Sequence, residues 1–427
     1  MKIHSIVARQ IFDSRGYPTV ECDVVLEDGS VGRAAVPSGA STGSGEAVEL
    51  RDGGKAFGGK GVSKAIVNIR ERITPALKDV LAEDQQAIDE ALRTLDGTDN
   101  MANLGANATL AVSLATAKAV AASKKMPLFV YIGQLSGNKK LMLPMPMFNI
   151  LNGGKHAEGS TDIQEFMIVP IGATDLQGAL QMASEIYHSL GTVLRKAGYA
   201  TTVGDEGGYA PSVKGGTKEA LDRIAQAVAG AGYVLGSDVA LALDVAASEL
   251  VDSNGGYNFA REERRFTTEQ LVDWYVELVK EYPIISLEDG LGEQDWDGWQ
   301  LLTSKLGDKL QLVGDDLFVT NTRLLKQGID KKAANAILIK PNQIGTLSDT
   351  IAAVRMAQQA DWGTVISHRS GETEDTTIAH LAVGLGAGQI KTGSFSRSER
   401  IAKYNQLLRI TELLDHPELA HPLGRSK

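Results

Sequence analysis

Three acidic residues each follow a short apolar segment in the second half of the chain. Asp244 follows Ala-Leu-Ala-Leu, Glu288 follows Ile-Ile-Ser-Leu, and Asp315 follows Leu-Gln-Leu-Val-Gly. Carboxylates are hard oxygen ligands of the kind that Mg²⁺ prefers, whereas zinc and copper favour nitrogen or sulfur. Without a cation, three such charges in one place would repel each other and raise each other's pKa. The pattern therefore predicts a magnesium site.

Basic residues follow three later apolar segments in the same way. Lys340 follows Ala-Ile-Leu-Ile, His368 and Arg369 follow Thr-Val-Ile-Ser, and Lys391 follows Gln-Ile. Burial and the like charge of Lys391 should lower the pKa of Lys340, and a neutral lysine can act as a general base. The structural alternative is a network of ion pairs between the acidic and basic groups, which we expect to form as well.

Two further motifs suggest a general acid and an anion site. In Asp205-Glu206-Gly-Gly, the acidic neighbour should disfavour ionisation of Glu206, and the glycines leave room for a ligand. Glu206 is thus the candidate acid, although the motif alone could be an ordinary polar turn. Arg369 and Ser370 can bind a phosphate or carboxylate through bidentate and hydroxyl hydrogen bonds.

The segment from Ser38 to Gly43 is rich in glycine and small hydroxyl residues. It lacks the lysine and the spacing of a P-loop, which argues against an NTPase. We expect a mobile lid that closes over a site and excludes water, with a plain surface loop as the alternative.

The spacing of these motifs predicts the elements that position them. Most of the apolar segments recur every 25 to 30 residues, roughly the length of one strand-plus-helix unit, as in a (β/α)₈ barrel. Parallel strands of such a barrel bring their C-terminal ends to one rim, so all six groups should meet there. Charged residues also end strands simply because the chain reaches solvent, but an ordered set of six favours a site.

The first part of the chain has a different pattern. Residues 1 to about 60 alternate as strands, and the segments Ala65 to Leu81 and Asn107 to Ala122 favour helices. We therefore expect an α/β protein with an N-terminal α+β domain at residues 1–135, carrying the lid loops, and a barrel domain at residues 139–427. A chain of 427 residues is long enough for two domains.

Composition excludes several classes of protein. The net charge of -10 argues against nucleic-acid binding, because neutralising phosphates needs clustered Lys and Arg. The single cysteine, Cys22, excludes an intramolecular disulfide and fits a reducing cytoplasm. Neither a signal peptide nor a membrane span is expected, since no apolar stretch is long enough.

These motifs, taken together, resemble those of enolases along both domains. The matching segments are Phe12 to Gly16, Ser38 to Gly43, Asn152 to Gly154 with His156, Asp162 to Ile168, Gly204 to Tyr209, Ser286 to Asp289, Val313 to Leu317, Leu338 to Lys340, Asn342 to Gly345, and Ser367 to Glu372. So many matches in one order make shared chemistry the expectation as well as a shared fold.

The resemblance implies a glycolytic and gluconeogenic lyase that interconverts 2-phosphoglycerate and phosphoenolpyruvate. It assigns Lys340 as the base and Glu206 as the acid. It assigns one Mg²⁺ to the three carboxylates and a second, arriving with substrate, to Ser41. The remaining substrate-binding positions it implies are His156, Gln164, Glu165, Arg369, Ser370 and Lys391.

The resemblance also implies a modified barrel with antiparallel early strands and a homodimer or octamer, with the dimer contact near Arg15. Tyr17 and Pro341 depart from the familiar motifs. The alternatives are another acid dehydratase or racemase of the enolase superfamily, a Schiff-base aldolase using Lys340, and a surface or assembly role that would place a cell-surface or secreted pool beside the cytoplasmic one.

Overall fold

The first part of the chain forms a small sheet covered by helices. A computed structural model describes residues 1–39, 43–157 and 159–420. The antiparallel sheet has the order β1-β2-β3, with β1 at Ile3–Phe12, β2 at Pro18–Leu26 and β3 at Val31–Ala35. The helices are α1 (Ser63–Asn68), α2 (Thr74–Leu77), α3 (Gln85–Asp96), α4 (Ala106–Ser123) and α5 (Leu128–Ser136).

The predicted helix at Asn107 to Ala122 is confirmed as α4. Its alanines and other small side chains are almost all buried, and it packs against β2 and β3. Gly32 permits this close approach, because a Cβ atom at this position would lie only 2.0 Å from the carbonyl oxygen of Ala115. A helix of small residues thus covers one face of the sheet.

The predicted helix at Ala65 to Leu81 is only partly right. Helical structure begins at Ser63, passes through a π-helical turn at Ile69–Ile73, and ends at Leu77. Beyond Leu77 the chain turns to meet the start of β1, where the Ala82 N–H donates to the carbonyl of Met1 at 2.9 Å. Pairing with a distant strand therefore overrides the local helical pattern.

Eight strands of the second part close into a barrel, as expected. They are β4 (Met145–Asn152), β5 (Glu165–Val169), β6 (Ala240–Asp244), β9 (Ile284–Glu288), β10 (Gln311–Gly314), β11 (Ala336–Ile339), β12 (Gly363–Ser367) and β13 (Gly388–Lys391). A short hairpin, β7 (Tyr257–Phe259) and β8 (Arg264–Phe266), lies between β6 and β9. The predicted fold, an α/β barrel with an N-terminal α+β domain, is confirmed.

One barrel strand runs against the other seven. Strand β5 pairs antiparallel with both β4 and β6, and the remaining neighbours are parallel. The parallel strands are short apolar runs because both of their faces are covered. The expected modified barrel is confirmed, but where antiparallel early strands were expected, only β5 is reversed relative to the rest.

Helices surround the barrel and are capped by polar side chains. They are α6 (Leu176–Lys196), α7 (Gly216–Gly230), α8 (Thr268–Glu281), α9 (Trp296–Leu306), α10 (Thr322–Lys331), α11 (Leu347–Gln359), α12 (Thr377–Gly384) and α13 (Ser398–Thr411). Thr267 and Gln270 form a capping box on α8, for example, and Asp175 caps α6. None of the helices described is long and apolar enough to cross a membrane.

Polar contacts join the first domain to the barrel. Lys118 on α4 lies 2.7 Å from Asp375, which also accepts a hydrogen bond from the Ala35 backbone. Thr109 on α4 donates to the carbonyl of Gly345 at 2.9 Å. These contacts fix α4 against the loops that leave β11 and β12, close to the barrel rim.

Candidate active site

The barrel rim brings the six charged groups together. Asp244, Glu288 and Lys391 are the last residues of β6, β9 and β13. Asp315 and Lys340 directly follow β10 and β11, and His368 and Arg369 follow β12 in the same way. Because these strands are parallel, their ends meet at one rim, and one cavity there contacts nearly all of the groups.

The reversed strand adds a carboxylate to this rim. Glu165 is the first residue of β5, and it pairs with Asn152 of β4 and with Asp244 of β6. Because β5 runs in the opposite direction, its N-terminal end lies where the other strands have their C-terminal ends. Strand reversal thus explains how Glu165 reaches the site.

Lys391 lies at the centre of a buried cluster of charges. Its Nζ atom is 2.8 Å from Asp244 Oδ2, 2.8 Å from Glu288 Oε1 and 3.2 Å from Glu165 Oε2. Burial disfavours the ammonium form, but the three carboxylates outweigh that effect and raise the pKa of Lys391 well above its ordinary value. Lys391 therefore offsets part of the negative charge of the rim.

Lys340 makes an ion pair with Asp315 across neighbouring strands. Burial alone would lower the pKa of Lys340, yet the adjacent carboxylate of Asp315 raises it above the ordinary value. The prediction of a lowered pKa is wrong for this arrangement, because the negative charge in direct contact outweighs the more distant Lys391 and Arg369. The same pair lowers the pKa of the Asp315 carboxyl despite its burial.

Glu206 lies between two histidines, which face the same oxygen of its carboxyl group. Its Oε2 atom accepts a hydrogen bond from Asn149 at 3.0 Å and lies 3.3 Å from His368 Nε2 and 3.6 Å from His156 Nδ1. Burial favours the neutral acid, but His156 and His368 outweigh it and hold the pKa of Glu206 well below its ordinary value. The expected effect of Asp205 is therefore wrong.

Beside Glu206, the carboxyl group of Glu165 has a raised pKa. Burial is the main cause of the raised Glu165 pKa, and the negative charge of Glu206 raises this pKa further. His156 Nδ1 lies 3.6 Å from both carboxyl groups. The two glutamates and this histidine thus form one buried proton-accepting group beside the cavity.

The anion-binding residues line the same cavity. Arg369 Nη1 is 2.9 Å from Glu46 Oε2, and Ser370 Oγ is 3.1 Å from His156 Nε2. The Gln164 side chain lines the same cavity, and its Oε1 atom makes no hydrogen bond among the residues that the structure describes. A buried amide oxygen without a partner is well placed to contact a ligand.

The donor set fits a divalent cation. The residues around the cavity are His156, Gln164, Glu165, Glu206, Asp244, Ala246, Asp289, Asp315, Asp316, Lys340, Ser367, His368, Arg369, Ser370 and Lys391. Six of them are carboxylates against three lysine or arginine cations, so negative charge is in excess. Hard oxygen donors with an excess of negative charge are what Mg²⁺ requires.

The acidic residues fall into two groups with close donor atoms. In one group, His156, Glu165 and Glu206 have donor atoms within 4.8 Å of one another, and in the other Asp289, Asp315 and Asp316 do. Of the predicted ligands, Asp244 and Glu288 instead share the ammonium of Lys391. Ser41, the predicted ligand on the lid, lies outside the described residues.

Sequence reasoning missed several residues that support the site. Gln343 donates to Asp315 Oδ1 at 2.9 Å and to Glu46 Oε1 at 3.2 Å, and so links the barrel to the first domain. The Asp289 carboxylate accepts from the backbone N–H groups of Asp315 and Asp316 at 2.8 and 2.9 Å. Gln343 and Asp289 lie inside the recognised motifs, whereas no local signal marks Glu46.

Pro341 and Tyr17, the two departures from the motifs, are accommodated locally. Pro341 begins a one-turn helix, where a missing N–H is harmless. The Tyr17 ring lies on the first domain with Lys60 Nζ 3.7 Å from its centroid. Neither residue is among those that line the cavity.

A barrel with one reversed strand, whose rim carries carboxylates, lysines and an arginine-serine pair, defines an enzyme of acid-base chemistry. Residues 140–421 match the family model described as enolase, C-terminal TIM barrel domain, and residues 3–132 match the enolase N-terminal domain. The chain belongs to the enolase family. It is a lyase of that family, with acidic clusters that could hold a divalent metal ion.

Proposed function

We propose that the protein catalyses the reversible dehydration of 2-phospho-D-glycerate to phosphoenolpyruvate, a step of glycolysis and gluconeogenesis. The observation that carries this proposal is the single buried cavity whose lining includes Lys340, Glu206 and the Arg369-Ser370 pair. A base, an acid and an anion-binding pair in one cavity are what elimination from a phosphorylated hydroxy acid requires.

Lys340 is the base in this proposal, a role that requires its neutral amine. The Asp315 carboxylate, which raises the pKa of Lys340 here, would be a Mg²⁺ ligand in the loaded site, and its charge would then be offset. Lys340 takes the proton from the carbon next to the substrate carboxylate, and the resulting ammonium is held by Asp315, its ion-pair partner. Lys340 directly follows β11, and every residue of this strand is buried. The strand therefore holds the Lys340 backbone in a fixed position relative to the substrate.

Glu206 is the acid that protonates the leaving hydroxyl, a role that requires Glu206 to carry the proton in the substrate complex, although His156 and His368 favour its carboxylate form in the substrate-free site. The C–O bond then breaks, water departs, and the carboxylate left on Glu206 faces Asn149 and His368. In the reverse reaction the same carboxylate takes a proton from water. Elimination is stepwise, with proton abstraction before loss of the hydroxyl.

The remaining residues bind and orient the substrate. Arg369 and Ser370 bind its phosphate, and His156, Gln164, Glu165 and Lys391 complete the binding set. Asp244, Glu288 and Asp315 would hold one Mg²⁺, and Ser41 a second that arrives with substrate. When bound, the magnesium ions supply positive charge that stabilises the extra negative charge on the substrate once its proton has gone, which is the established chemistry of the enolase superfamily.

The organisation of the whole protein is proposed on the same basis. We assign residues 1–135 to an N-terminal domain with the lid loops and residues 139–427 to the catalytic barrel. A homodimer or octamer in the cytoplasm is the expected form, and light scattering after size-exclusion chromatography would measure its mass.

The main alternative is another acid dehydratase or racemase of the superfamily. The Arg369-Ser370 pair favours a phosphorylated substrate over an unphosphorylated sugar acid. A Schiff-base aldolase would use Lys340 as a nucleophile, and borohydride trapping would reveal it. A surface or assembly role would survive loss of catalysis, so a pull-down with Lys340→Ala would detect it.

Absorbance of the enol phosphate tests the proposed function. We expect absorbance to rise when 2-phosphoglycerate and Mg²⁺ are added, and a chelator to stop the rise. Unphosphorylated sugar acids and amino acids serve as control substrates for the superfamily alternative. A folded, magnesium-loaded protein that converts only a control substrate would contradict the assignment.

A further inference from the structure

Helix α13 places two positively charged side chains in the interior, next to the loop that follows β12 and carries Arg369 and Ser370. Arg400 and Lys403 are both fully buried. Lys403 donates to the carbonyl of Thr373 at 2.5 Å and lies 3.0 Å from Glu372 Oε2. A buried arginine is unusual enough to require an explanation from its partners.

Arg400 contacts three parts of the site. It donates to the carbonyl oxygens of Arg369 and Ser370, each at 2.6 Å, and to that of Asp205 at 3.1 Å. Its Nη1 atom also lies 2.7 Å from His368 Nδ1. One guanidinium group therefore makes hydrogen bonds to the loop after β12, to the loop that carries Asp205 and Glu206, and to the His368 imidazole.

The contact with Arg400 determines where His368 carries its proton. A guanidinium has donors and no acceptor, so His368 Nδ1 must be the acceptor in this hydrogen bond. In a neutral imidazole the proton then lies on Nε2. Burial and the charge of Arg400 oppose a second proton, while the negative charges of Glu206 and Glu372 favour it. The net effect is a His368 pKa lowered to about 4, so the ring is neutral near pH 7.

The protonated nitrogen faces the acid of the reaction. His368 Nε2 is buried and lies 3.3 Å from Glu206 Oε2, and it makes no hydrogen bond among the residues described. A proton on Nε2 is therefore not committed to another acceptor among the described residues, and Glu206 Oε2 lies within reach of it.

We propose that Arg400 is a positioning residue that holds His368 in the Nε2–H tautomer, giving Glu206 a fixed hydrogen-bond donor. The inference rests on the proposed role of Glu206 as the acid. When Glu206 gives its proton to the leaving hydroxyl, the new carboxylate meets a donor that is already oriented. The His368 proton stays on its nitrogen, so no additional group is oxidised, reduced or ionised.

The tautomer can be observed without substrate. In protein labelled with ¹⁵N-histidine, long-range ¹H–¹⁵N correlations distinguish a protonated Nε2 from a protonated Nδ1. The signal of His368 is identified by its loss in His368→Gln. We expect protonated Nε2 and bare Nδ1 in the wild type, and a mixture of tautomers in Arg400→Met. An Nδ1–H or doubly protonated ring in the wild type would overturn the proposal.

A matched pair of variants tests the consequence for the reaction and does not depend on Arg400→Met folding. Gln at position 368 can place an amide donor near the Nε2 position, whereas Asn reaches only the Nδ1 position. We expect His368→Gln to retain kcat within about tenfold and His368→Asn to lose about 10² or more, the range for one acid-base contact, with KM changed little. Equal losses in the two variants would overturn the inference.

These readouts separate the inference from the proposed function. If the wild type does not convert 2-phosphoglycerate, the proposed function fails and the tautomer measurement still stands on its own. If the wild type converts the substrate, but the His368 tautomer or the two His368 variants differ from the expected results, the inference alone fails.

Discussion

Individual residues of the site are easier to predict than their interactions. Asp244, Glu288 and Lys391 are recognisable because each ends an apolar strand, and a polar residue at that point is conspicuous in the sequence. The predicted pKa directions of Lys340 and Glu206 are wrong because they depend on which charged atom makes the closest contact. Spacing along the chain cannot reveal that Asp315 touches Lys340 or that two histidines flank Glu206.

Lys391→Met should destabilise the fold strongly. The change leaves Asp244, Glu288 and Glu165 buried without the ammonium they share, and breaking a buried ion pair from one side costs about 3–5 kcal/mol. The free energy of unfolding, measured with urea in metal-free buffer near pH 7, checks this.

The matched control is Lys326→Met, which removes an exposed ammonium paired with Asp330 at 2.8 Å within α10. Exposed pairs of this kind contribute about 0.5 kcal/mol or less. If both variants lose equally little stability, Lys391 does not neutralise the rim as described.

At the scale of elements, the sequence shows which segments form strands and helices. It does not show whether a strand runs parallel or antiparallel to its neighbours. The apolar run of β5 resembles its neighbours, and nothing in its periodicity distinguishes a reversed strand from a parallel one. Only the resemblance to a family indicates the reversed direction. The end of α2 cannot be predicted for a similar reason, since the pairing with Met1 is distant in sequence.

Gly32→Ala should separate β3 from α4. The added Cβ would lie 2.0 Å from Ala115 O and 2.2 Å from Ala119 N, and both are backbone atoms that cannot rotate away. We expect a loss of about 3 kcal/mol in the free energy of unfolding, the upper part of the range for overpacking. Chemical denaturation measures it.

Gly178→Ala is the control for replacing a glycine. At this position in the first turn of α6, the nearest atom to an added Cβ is Asp175 Oδ1 at 3.4 Å, an ordinary contact. Stability should stay the same or rise by up to about 1 kcal/mol, because alanine favours helix. An equal loss at both positions would contradict the close approach of β3 and α4.

For the whole molecule, the division into a small α+β part and a barrel follows from the change in periodicity near residue 60 and from the even spacing of later strands. The contacts between the two parts could not be predicted, because they join residues far apart in sequence. His380 on α12 is an example: its ring stacks on Phe129 of α5 with centroids 6.3 Å apart.

His380 should make this packing sensitive to acid. Burial lowers its pKa to about 4, whereas an unfolded histidine titrates near 6.5. The unfolded chain therefore binds the proton more readily, so this contribution to stability is complete above about pH 6.5 and is lost as the pH falls towards 4. The total is about 3 kcal/mol.

The measurement is urea unfolding of the wild type and His380→Gln at several pH values between 7 and 4. The stability difference between the two proteins should shift by about 3 kcal/mol over that range, in favour of the variant at low pH. His188→Gln, at an exposed position on α6, controls for the loss of a histidine. A difference that stays constant with pH would contradict the assignment.

The central claim is that Lys340 removes the proton and Glu206 protonates the leaving hydroxyl. Exchange of the substrate's C2 proton with solvent tests this claim most directly. In deuterated water with Mg²⁺, the wild type should both exchange this proton and form phosphoenolpyruvate. Glu206→Gln should exchange it with little product, and Lys340→Ala should do neither, each losing about 10²-fold to 10⁴-fold in the step it serves. Exchange that persists in Lys340→Ala, in a folded protein that still binds substrate, would contradict the account.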